Sequence, residues 1–398
     1  MRSFFFSACL ATTICTAMAI AQSPVAYVYV AEDTSDTTTT SPIAAYAASS
    51  DGSLTQIKGS PFTQVSGIMG GTNGTHFITV DMNGTTTHQY LHVYDVASDG
   101  VIGEEVSKLD LHEWCGSDGP AEFDHTGQYV YVLESQPCGG GYLSFALSKS
   151  GELTFKGSFV EGSSPFYSLP VFSGNDNFAY NFTPSADSQE PCPTNSFIGL
   201  GREGSGALEN IGFSETDPTP PAGYQMFQQG LVTDDPTNHL ASVIYSQDGL
   251  CGQNGFTPNA LASYTVESNG DLVSTNTWEN VAQLDGYLGS GAGIKLNAAG
   301  NILAVTVGAG IQFFHFNGAA PITPFAGTGI VGTSGDIDTM TWDNDNHLYA
   351  LDGKSGRLYV YTATTTTAVE APGSPYLPPN NCTSGGCWPQ NLIVRRIP

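Results

Sequence analysis

Short apolar runs separated by turn residues recur along the chain, and the clearest set lies between residues 121 and 159. There Tyr129–Leu133 and Tyr142–Leu147 are rich in β-branched and aromatic residues, and the run from Leu153 alternates apolar with polar positions. Asp124–Gly127 has the composition of a tight turn. This pattern predicts an antiparallel meander of about four strands. Such a unit has two apolar faces, so it must stack on copies of itself.

The copies recur at a period of about 50 residues. Each contains an apolar residue, two unrestricted positions and then, usually, an aromatic residue. The residues at this fourth position are Tyr46, Tyr94, Phe145, Leu200, Tyr264, Phe314 and Tyr361. A glycine occupies the following turn in six of the seven copies, and a threonine run replaces it in the last. Sandwiches and barrels have no reason to repeat at this period. The sequence therefore predicts an all-β fold, a seven-bladed β-propeller of four-stranded antiparallel blades.

The two ends of the chain complement each other. The first copy begins at a second-strand pattern, Ala26–Ala31, with no first strand before it. A first-strand pattern, Pro389–Val394, follows the last copy. We therefore predict that the C-terminal strand completes the first blade and closes the ring, because closure removes the free sheet edges of an open array.

The N-terminal segment has the features of a signal peptide. Arg2 precedes an apolar run over Phe4–Ile20, and a small-x-small cleavage site ends at Ala21. A membrane anchor is the alternative, but the run is short and contains Ser, Thr and Cys, and no second apolar segment follows. We expect residues 1–21 to be removed, residues 22–398 to form one propeller, and the protein to be secreted or periplasmic without a membrane span.

The charge balance is strongly acidic, with 11 Lys and Arg residues against 37 Asp and Glu residues and a formal net charge of −26. Nucleic acids, anionic membrane surfaces and phosphorylated substrates all require basic patches, so this balance argues against them. Solubility outside the cell is one explanation of the acidic surface. The sharper one is cation binding.

Cysteine usage agrees with export. Cys9 and Cys15 leave with the signal peptide, and the remaining cysteines are Cys115, Cys138, Cys192, Cys251, Cys382 and Cys387. An even count in an exported chain predicts disulfides. On the repeat map all six lie in connections on one face of the propeller, which also carries the longest insertions, Thr216–Gln229 among them. Pairing by proximity predicts Cys115–Cys138, Cys192–Cys251 and Cys382–Cys387. Zinc is the alternative, although no CxxC or HExxH spacing occurs.

Carboxylates end the second strand in several blades, at the face that carries the cysteines. They are Glu32, Asp81, Glu134 and Asp352. We treat them as ligand-binding candidates because paired carboxylates hold Ca²⁺ or transfer protons, with Ca²⁺ at Glu32, Asp81 and Glu134 as the specific expectation. The alternative is that they cap strand ends by binding loop backbone.

A second group of candidates belongs to the inner strands and to the connections that lead into them. Glu122 and Lys295 occupy first strands three blades apart, so they are expected to face each other across the channel. His112, Trp114 and Trp388 lie in connections that could close over a ligand. Glu122, His112 and Lys295 are the catalytic candidates. The alternatives are a polar channel filled with water and a structural histidine beside a tryptophan.

Several motifs resemble one known family. The second strands AYVYVA and QYVYVL, the turn SSDGSL and the closing GSPF at Gly59–Phe62 are similar to those of the lactonase-like seven-bladed propellers. That family includes proteins of the 6-phosphogluconolactonase and muconate cycloisomerase types, and the resemblance covers the chain after its signal peptide. A phosphosugar substrate would call for basic residues, which are scarce here. No family catalytic residue can be matched to a position in this sequence.

Two classes of function remain open, so whether the chain is an enzyme is undecided. It could be a monomeric binding scaffold that holds a small molecule, a glycan or a protein partner on the disulfide-bearing face. It could instead be a lactone hydrolase or cycloisomerase acting on a neutral lactone at the channel mouth. That chemistry would use a carboxylate or His112 as general base and Lys295 or an arginine on the developing oxyanion. The lack of a recognisable catalytic set favours the scaffold.

Overall fold

The apolar runs form strands in seven antiparallel sheets, which are the blades of a propeller ring. The computed structural model describes residues 23–34, 42–65, 70–80, 89–114, 117–134, 141–160, 169–184, 195–248, 257–286, 288, 293–308, 310–326, 329–332, 337–378 and 387–397. Within these residues a single 3₁₀ turn, His112–Trp114, is the only helical element. The described residues therefore contain no helix that is long and apolar enough to cross a membrane. The predicted all-β, seven-bladed propeller is confirmed.

The strands are numbered in chain order. Blade 1 contains β1 (Ala26–Thr34), β2 (Ile43–Ala48) and β3 (Leu54–Gln56). Blade 2 contains β4 (His76–Val80), β5 (Tyr90–Val96) and β6 (Ile102–Asp110). Blade 3 contains β7 (Ser117–Phe123), β8 (Tyr129–Glu134), β9 (Gly141–Leu147) and β10 (Leu153–Val160). Blade 4 contains β11 (Val171–Phe172), β12 (Phe178–Pro184), β13 (Asn195–Arg202) and β14 (Leu208–Asn210).

The remaining blades follow in the same order. Blade 5 contains β15 (Glu215–Thr216), β16 (Tyr224–Asp234), β17 (His239–Asp248), β18 (Ala260–Val266), β19 (Leu272–Val273) and β20 (Ala282–Gln283). Blade 6 contains β21 (Ile294–Leu296), β22 (Ile302–Val307), β23 (Gly310–Asn317) and β24 (Ala320–Pro324). Blade 7 contains β25 (Ile337–Trp342), β26 (His347–Asp352), β27 (Arg357–Ala363) and β28 (Ala368–Glu370), and the chain ends in β29 (Cys387–Arg396).

Two blades depart from the four-strand pattern within the described residues. Blade 2 has three strands, but the Ile78 amide donates to the Gly71 carbonyl at 2.9 Å, which continues the ladder at the inner edge. Blade 5 has two extra short strands, of which β15 pairs in parallel with the outer strand β19.

The chain ends pair as the sequence predicts. β29 lies antiparallel to β1, with Val28 opposite Val394, Tyr29 opposite Ile393 and Val30 opposite Leu392. β29 also contacts β25 and β26 of blade 7. The pairing is the one expected if the C-terminal strand closes the ring.

The core is divided among the seams between blades. Seven apolar clusters are present among the described residues, and each joins one blade to the next. In the seam between blades 7 and 1, Val28 and Val30 pack with Leu351 and Val360. Burial between blades therefore supplies the stability that an isolated four-stranded sheet lacks.

A repeated contact explains the turn glycines. An aromatic residue at the first or second position of a second strand packs its ring against the turn glycine of the following blade. A Cβ on that glycine would overlap the ring or sit tightly against it. The pairs are Tyr27–Gly100, His76–Gly151, Tyr129–Gly206, Phe178–Gly270, His239–Gly318 and His347–Gly52. The exception is the seam between blades 6 and 7, where Ile302 begins β22 and the next turn is the threonine run Thr364–Thr367.

Hydrogen bonds reinforce three of these contacts. The tyrosine two positions further along the second strand donates to the carbonyl of the same glycine. Tyr29 donates to Gly100 at 2.8 Å, Tyr131 to Gly206 at 2.9 Å and Tyr180 to Gly270 at 2.7 Å. Each of these buried hydroxyls is therefore satisfied across a seam.

Candidate functional site

The two faces of the propeller use their polar groups differently. On the face of the short turns, polar groups of one blade bond to the first turn of the next, or to the end of β29. The bonds are Asn73 Nδ2 to the Gly127 carbonyl (3.0 Å), His125 Nδ1 with Asp176 Oδ1 (2.8 Å), the Asn175 amide to Asn238 Oδ1 (3.0 Å), Asn297 Nδ2 to Asn346 Oδ1 (2.7 Å) and Asn344 Nδ2 to the Ile397 carbonyl (3.2 Å). These groups hold the turns together and are already partnered.

The turn of blade 7 also satisfies its own acidic residue. Asp343 is fully buried, and its Oδ1 accepts the amides of Asp345 and His347 at 2.9 Å each. Its Oδ2 accepts the Tyr349 hydroxyl at 2.8 Å and lies 2.7 Å from His347 Nδ1. The Asp343–Asn346 segment is therefore a turn whose buried carboxylate is satisfied within the turn and its own strand.

Glu134 differs from these groups. It ends β8 at the opposite face and is only 7% exposed, and its Oε2 has no hydrogen-bond partner among the residues that the structure describes. Val132, two residues earlier on the same side of the strand, belongs to the core between blades 2 and 3, so Glu134 points into the mouth of that seam. Burial raises the pKa of its carboxyl. An unpartnered oxygen of this kind is rare in a folded protein and calls for an explanation.

Asp352 occupies the corresponding position in blade 7 and is fully partnered. Its Oδ1 accepts the Ser355 amide at 2.9 Å, and its Oδ2 accepts the Ser355 hydroxyl at 2.6 Å. Asp352 therefore caps the loop after β26, which is the capping role that the sequence left open for these strand-end carboxylates.

Glu122 and Lys295 are placed on inner strands, as predicted. Glu122 lies in β7 of blade 3 and Lys295 in β21 of blade 6, and both side chains are exposed. The inner strands contact one another in succession from β11 through β16, β21 and β25 to β29, so the exposed Lys295 side chain on β21 borders the channel. Glu122 lies on β7, the inner edge strand of its sheet. The Lys295 carbonyl accepts the Trp342 indole N–H at 3.0 Å, which fixes the backbone of β21 against the next inner strand.

Trp114 lies on the outer side of its blade rather than at the channel mouth. Its ring stacks on Phe155 of the outer strand β10, with 4.7 Å between ring centroids, and meets Phe145 edge-on at 5.8 Å. His112 precedes it in the same 3₁₀ turn and is exposed. The connection that carries both residues thus runs along the outer part of the seam between blades 2 and 3, away from Glu122 and Lys295.

Several predicted residues lie outside the described part of the chain. They are Asp81, Cys115, Cys138, Cys192, Cys251 and Cys382. Glu32, Trp388 and Cys387 belong to β1 and β29, whose backbones are described while these side chains are not. Among the described side chains, no group of three His, Cys, Asp or Glu residues could hold a metal ion. The Ca²⁺ site at Glu32, Asp81 and Glu134 therefore stays a prediction.

The disulfide pairing stays a prediction as well, and peptide mapping under non-reducing conditions tests it. We expect linked peptides for Cys115–Cys138, Cys192–Cys251 and Cys382–Cys387, because the repeat places each pair in one connection or in neighbouring ones. A Cys115–Cys192 bond, or a bond from Cys382 to a distant cysteine, would contradict the placement of all six on one face.

One cluster of buried and half-buried polar groups has no recognisable signal in the sequence. Glu215 and Asp217 lie where the chain passes from blade 4 to blade 5, and Gln228 and Tyr264 face them from blade 5. Burial, and then the neighbouring Asp217, raises the pKa of Glu215 to about 7. An acidic residue on each side of Thr216 is an ordinary surface pattern, so only the packing distinguishes this pair.

The comparisons with known proteins concern the fold. No family model and no curated protein matches the sequence. Among solved structures, the chain is similar to a "putative 6-phosphogluconolactonase" from Bacteroides fragilis, with a TM-score of 0.58 and 10% identity over 94% of this chain and 98% of that one. A protein of the same description from Bacteroides uniformis has a TM-score of 0.57 and 13% identity over 89% of this chain and 97% of that one.

A third similar structure, a protein from Lactobacillus plantarum, has a TM-score of 0.54 and 13% identity over 94% of this chain and 99% of that one. Together these likenesses show that the chain shares its seven-bladed propeller fold with those structures. At such low identity they carry no activity over to this chain.

Proposed function

We propose that this chain is an exported propeller that binds a neutral, oxygen-rich small molecule such as a sugar or a sugar lactone. The binding site would be at Glu134, on the face to which the sequence assigns the cysteines and the longest insertions. The observation that carries the proposal is the buried Glu134 carboxyl, whose Oε2 has no hydrogen-bond partner in the described part of the chain. The signal-peptide pattern at residues 1–21 supports export.

The state of Glu134 is costly for the fold by itself. Leaving a buried polar atom without a hydrogen bond destabilises a protein by about 1–3 kcal/mol. Asp352, at the same position of blade 7, avoids this cost through Ser355. Buried polar atoms without a hydrogen-bond partner occur mainly at functional sites, where a ligand supplies the missing partner.

A neutral ligand fits the chemistry better than an ion. The raised pKa of Glu134 comes from burial, and none of the described side chains adds a cationic contribution to it. A carboxyl in that environment can donate a hydrogen bond when it is protonated and accept one from a hydroxyl when it is ionised. Ca²⁺ prefers roughly six to eight oxygen ligands, whereas a sugar needs only a few hydrogen-bonding groups at the site. The net charge of −26 disfavours anionic sugars.

Calorimetric titration tests this proposal. The probes are D-glucose, D-galactose and the δ-lactones of the corresponding aldonic acids, titrated into the wild type, Glu134→Gln and Glu134→Leu. We expect at least one probe to bind the wild type with a Kd of about 1 mM or tighter. Glu134→Gln should keep that affinity within about tenfold, because an amide can still donate and accept, and Glu134→Leu should lose it.

The matched control is Glu152→Gln, which removes an exposed carboxylate from a short turn of the same blade and should bind like the wild type. Titration of Ca²⁺ into the chelator-treated protein separates the cation interpretation. A heat signal from Ca²⁺ that disappears in Glu134→Gln, with no response to any sugar or lactone, would replace the neutral ligand by a cation. Unchanged sugar binding in Glu134→Leu would reject Glu134 as the site.

The same substitution should have an opposite effect on stability. Glu134→Leu replaces an unpartnered buried carboxyl with an apolar side chain, so we expect the free energy of unfolding to rise by about 1–2 kcal/mol. Urea denaturation at neutral pH measures it. A loss of stability in Glu134→Leu would show that the carboxyl has a partner within the fold and is not held open for a ligand.

A second function, hydrolysis of a neutral lactone, is favoured by the exposure of Lys295 beside the channel and of Glu122 on the inner edge strand of its sheet. Glu122 would act as general base and Lys295 would stabilise the developing oxyanion. Release of acid from the same δ-lactones, measured for the wild type, Glu122→Gln and Lys295→Met, tests this. Hydrolysis that both substitutions reduce would make the chain an enzyme. Hydrolysis at the uncatalysed rate would leave the binding function.

A further inference from the structure

One connection between blades forms an extra strand on its way. After β14, the segment Ser214–Asp217, called the strap below, runs beside the outer strand of blade 5 in parallel orientation. The Leu272 amide donates to the Ser214 carbonyl at 3.0 Å and the Ser274 amide to the Thr216 carbonyl at 2.8 Å. β15 and β19 are the only parallel pair in the part of the chain that the structure describes.

The strap brings a carboxylate against the buried polar groups of blade 5. Asp217 Oδ1 accepts the Tyr264 hydroxyl at 2.8 Å and Gln228 Nε2 at 3.2 Å. Gln228 is held in turn, because its Nε2 also lies 3.0 Å from the Tyr264 hydroxyl and its Oε1 accepts the Ser242 hydroxyl at 2.7 Å. Tyr264, Gln228 and Ser242 are at most 1% exposed, so Asp217 is the link between this network and the strap.

Glu215 is the other carboxylate of the strap, and its surroundings do not compensate a charge. Its Oε2 is buried, and no described residue forms a hydrogen bond with it. The ionisable groups that act on Glu215 and Asp217 are the two carboxyls themselves and the Tyr264 hydroxyl, and none of them is cationic. At the start of the strap, Asp271 accepts the Ser214 amide at 2.7 Å, which lowers the pKa of that exposed carboxyl.

We propose that the strap is a pH-responsive fastening between blades 4 and 5, docked on β19 while Glu215 is protonated and released when Glu215 and Asp217 are both ionised. Two adjacent carboxylates in a partly buried seam repel each other and lose hydration, and no cation offsets either effect. The strap leads into residues 218–223, which connect it to β16, so its release would free that connection. The predicted insertion Thr216–Gln229 is shorter than expected, because residues from Tyr224 onward pair with β17. This device does not depend on a ligand at Glu134.

The direction of the effect follows from proton linkage. Burial and Asp217 raise the pKa of Glu215 from 4.5 to about 7, so the docked strap holds a proton that the released strap has lost between these pH values. Docking is therefore most favourable below pH 4.5 and weakens as the pH rises toward 7. Burial also raises the pKa of Asp217 and outweighs the hydrogen bonds from Tyr264 and Gln228, which lower it. This raised pKa likewise weakens docking as the pH rises. The lowered pKa of Asp271 keeps its bond to Ser214 intact at mildly acidic pH.

Hydrogen exchange of the full chain, corrected for the intrinsic pH dependence of amide exchange, tests the strap. The reporters are the Leu272 and Ser274 amides, which donate to it, and the Val266 amide, which donates to Asn238 in the same blade, is the internal reference. We expect protection of the reporters to fall about tenfold or more between pH 5 and pH 8 relative to Val266. Glu215→Gln, which cannot ionise, should retain the protection at both pH values.

Two further variants make the result decisive. Asp217→Asn removes the neighbouring charge, so the loss of protection between pH 5 and pH 8 should be smaller than in the wild type. Glu209→Gln, which removes an exposed carboxylate from β14 next to the strap, should behave like the wild type. Equal protection of Leu272 and Ser274 at pH 5 and pH 8 in the wild type, or the same loss in Glu215→Gln, would overturn the proposal.

Discussion

Deletion of Asn391–Pro398 should destabilise the protein by about 5 kcal/mol or prevent it from folding. The deletion removes the part of β29 that pairs with Ala26–Ala31 of β1. It also removes Leu392, which is buried in the core between blades 7 and 1, and Val394, which packs against that core. Each such apolar side chain contributes about 1.5–3 kcal/mol when it is fully buried, and the lost ladder of backbone hydrogen bonds adds to this.

Urea denaturation followed by tryptophan fluorescence measures this effect. Removal of the last residue alone is the control and should leave the transition unchanged. If the truncated chain does not fold, Leu392→Ala provides a graded test, with an expected loss of about 2–4 kcal/mol. The truncated chain should also associate, because β1 would present an unpaired edge. Unfolding of the truncated chain at the urea concentration of the full-length protein would show that the C-terminal strand does not close the ring.

Gly206→Ala is expected to have the second-largest effect, a loss of about 2–4 kcal/mol in the free energy of unfolding. Gly206 has φ +93°, a backbone conformation that side chains with a Cβ rarely adopt. A Cβ at this position would also overlap the ring of Tyr129, which begins β8 in the preceding blade. The substitution would displace the Gly206 carbonyl that accepts the buried Tyr131 hydroxyl at 2.9 Å.

Gly204 in the same turn is the matched control, because a Cβ there meets nothing within 4 Å. Gly204→Ala should therefore be close to neutral. Combining Gly206→Ala with Tyr129→Ala separates the two causes, since the double variant relieves the overlap and keeps the backbone strain. We expect the two substitutions to be less than additive in denaturant unfolding. Strict additivity would mean that the glycine and the ring do not share a contact across the seam.

Much of the fold could be predicted because its determinants are local and repeated. Short apolar runs such as Tyr129–Leu133, separated by turn residues, specify the strands. The recurrence of one usually aromatic position from Tyr46 to Tyr361 specifies the number of blades. Even the long-range pairing of Ala26–Ala31 with the C-terminal strand could be inferred from the sequence. The first blade lacks a first strand and the last copy is followed by an extra one, and pairing the two removes the free sheet edges. The turn glycines are apparent in the sequence. The sequence does not show why glycine is needed there, which is that a ring from the preceding blade leaves no room for a Cβ.

The candidate site shows the limit more clearly. The repeat places Glu134 and Asp352 at equivalent strand ends, and nothing in their local sequence distinguishes a capping carboxylate from an open one. The difference arises because Ser355 turns back onto Asp352 while Glu134 is left with an unpartnered oxygen in the seam. In the same way Trp114 was assigned to a connection correctly, and only its stacking on Phe155 shows that it belongs to the outer wall.

The sequence by itself therefore determined the strands, the blade count and the pairing of the chain ends, because period and composition act between near neighbours or repeat along the chain. The tertiary structure alone decided which polar groups are satisfied. Glu215 and Asp217 are unremarkable where they stand in the sequence, and their environment comes from β19, Gln228 and Tyr264, which the ring brings beside them. Burial and hydrogen bonding are properties of that arrangement, so the chemistry of a carboxyl could be read only after the blades were in place.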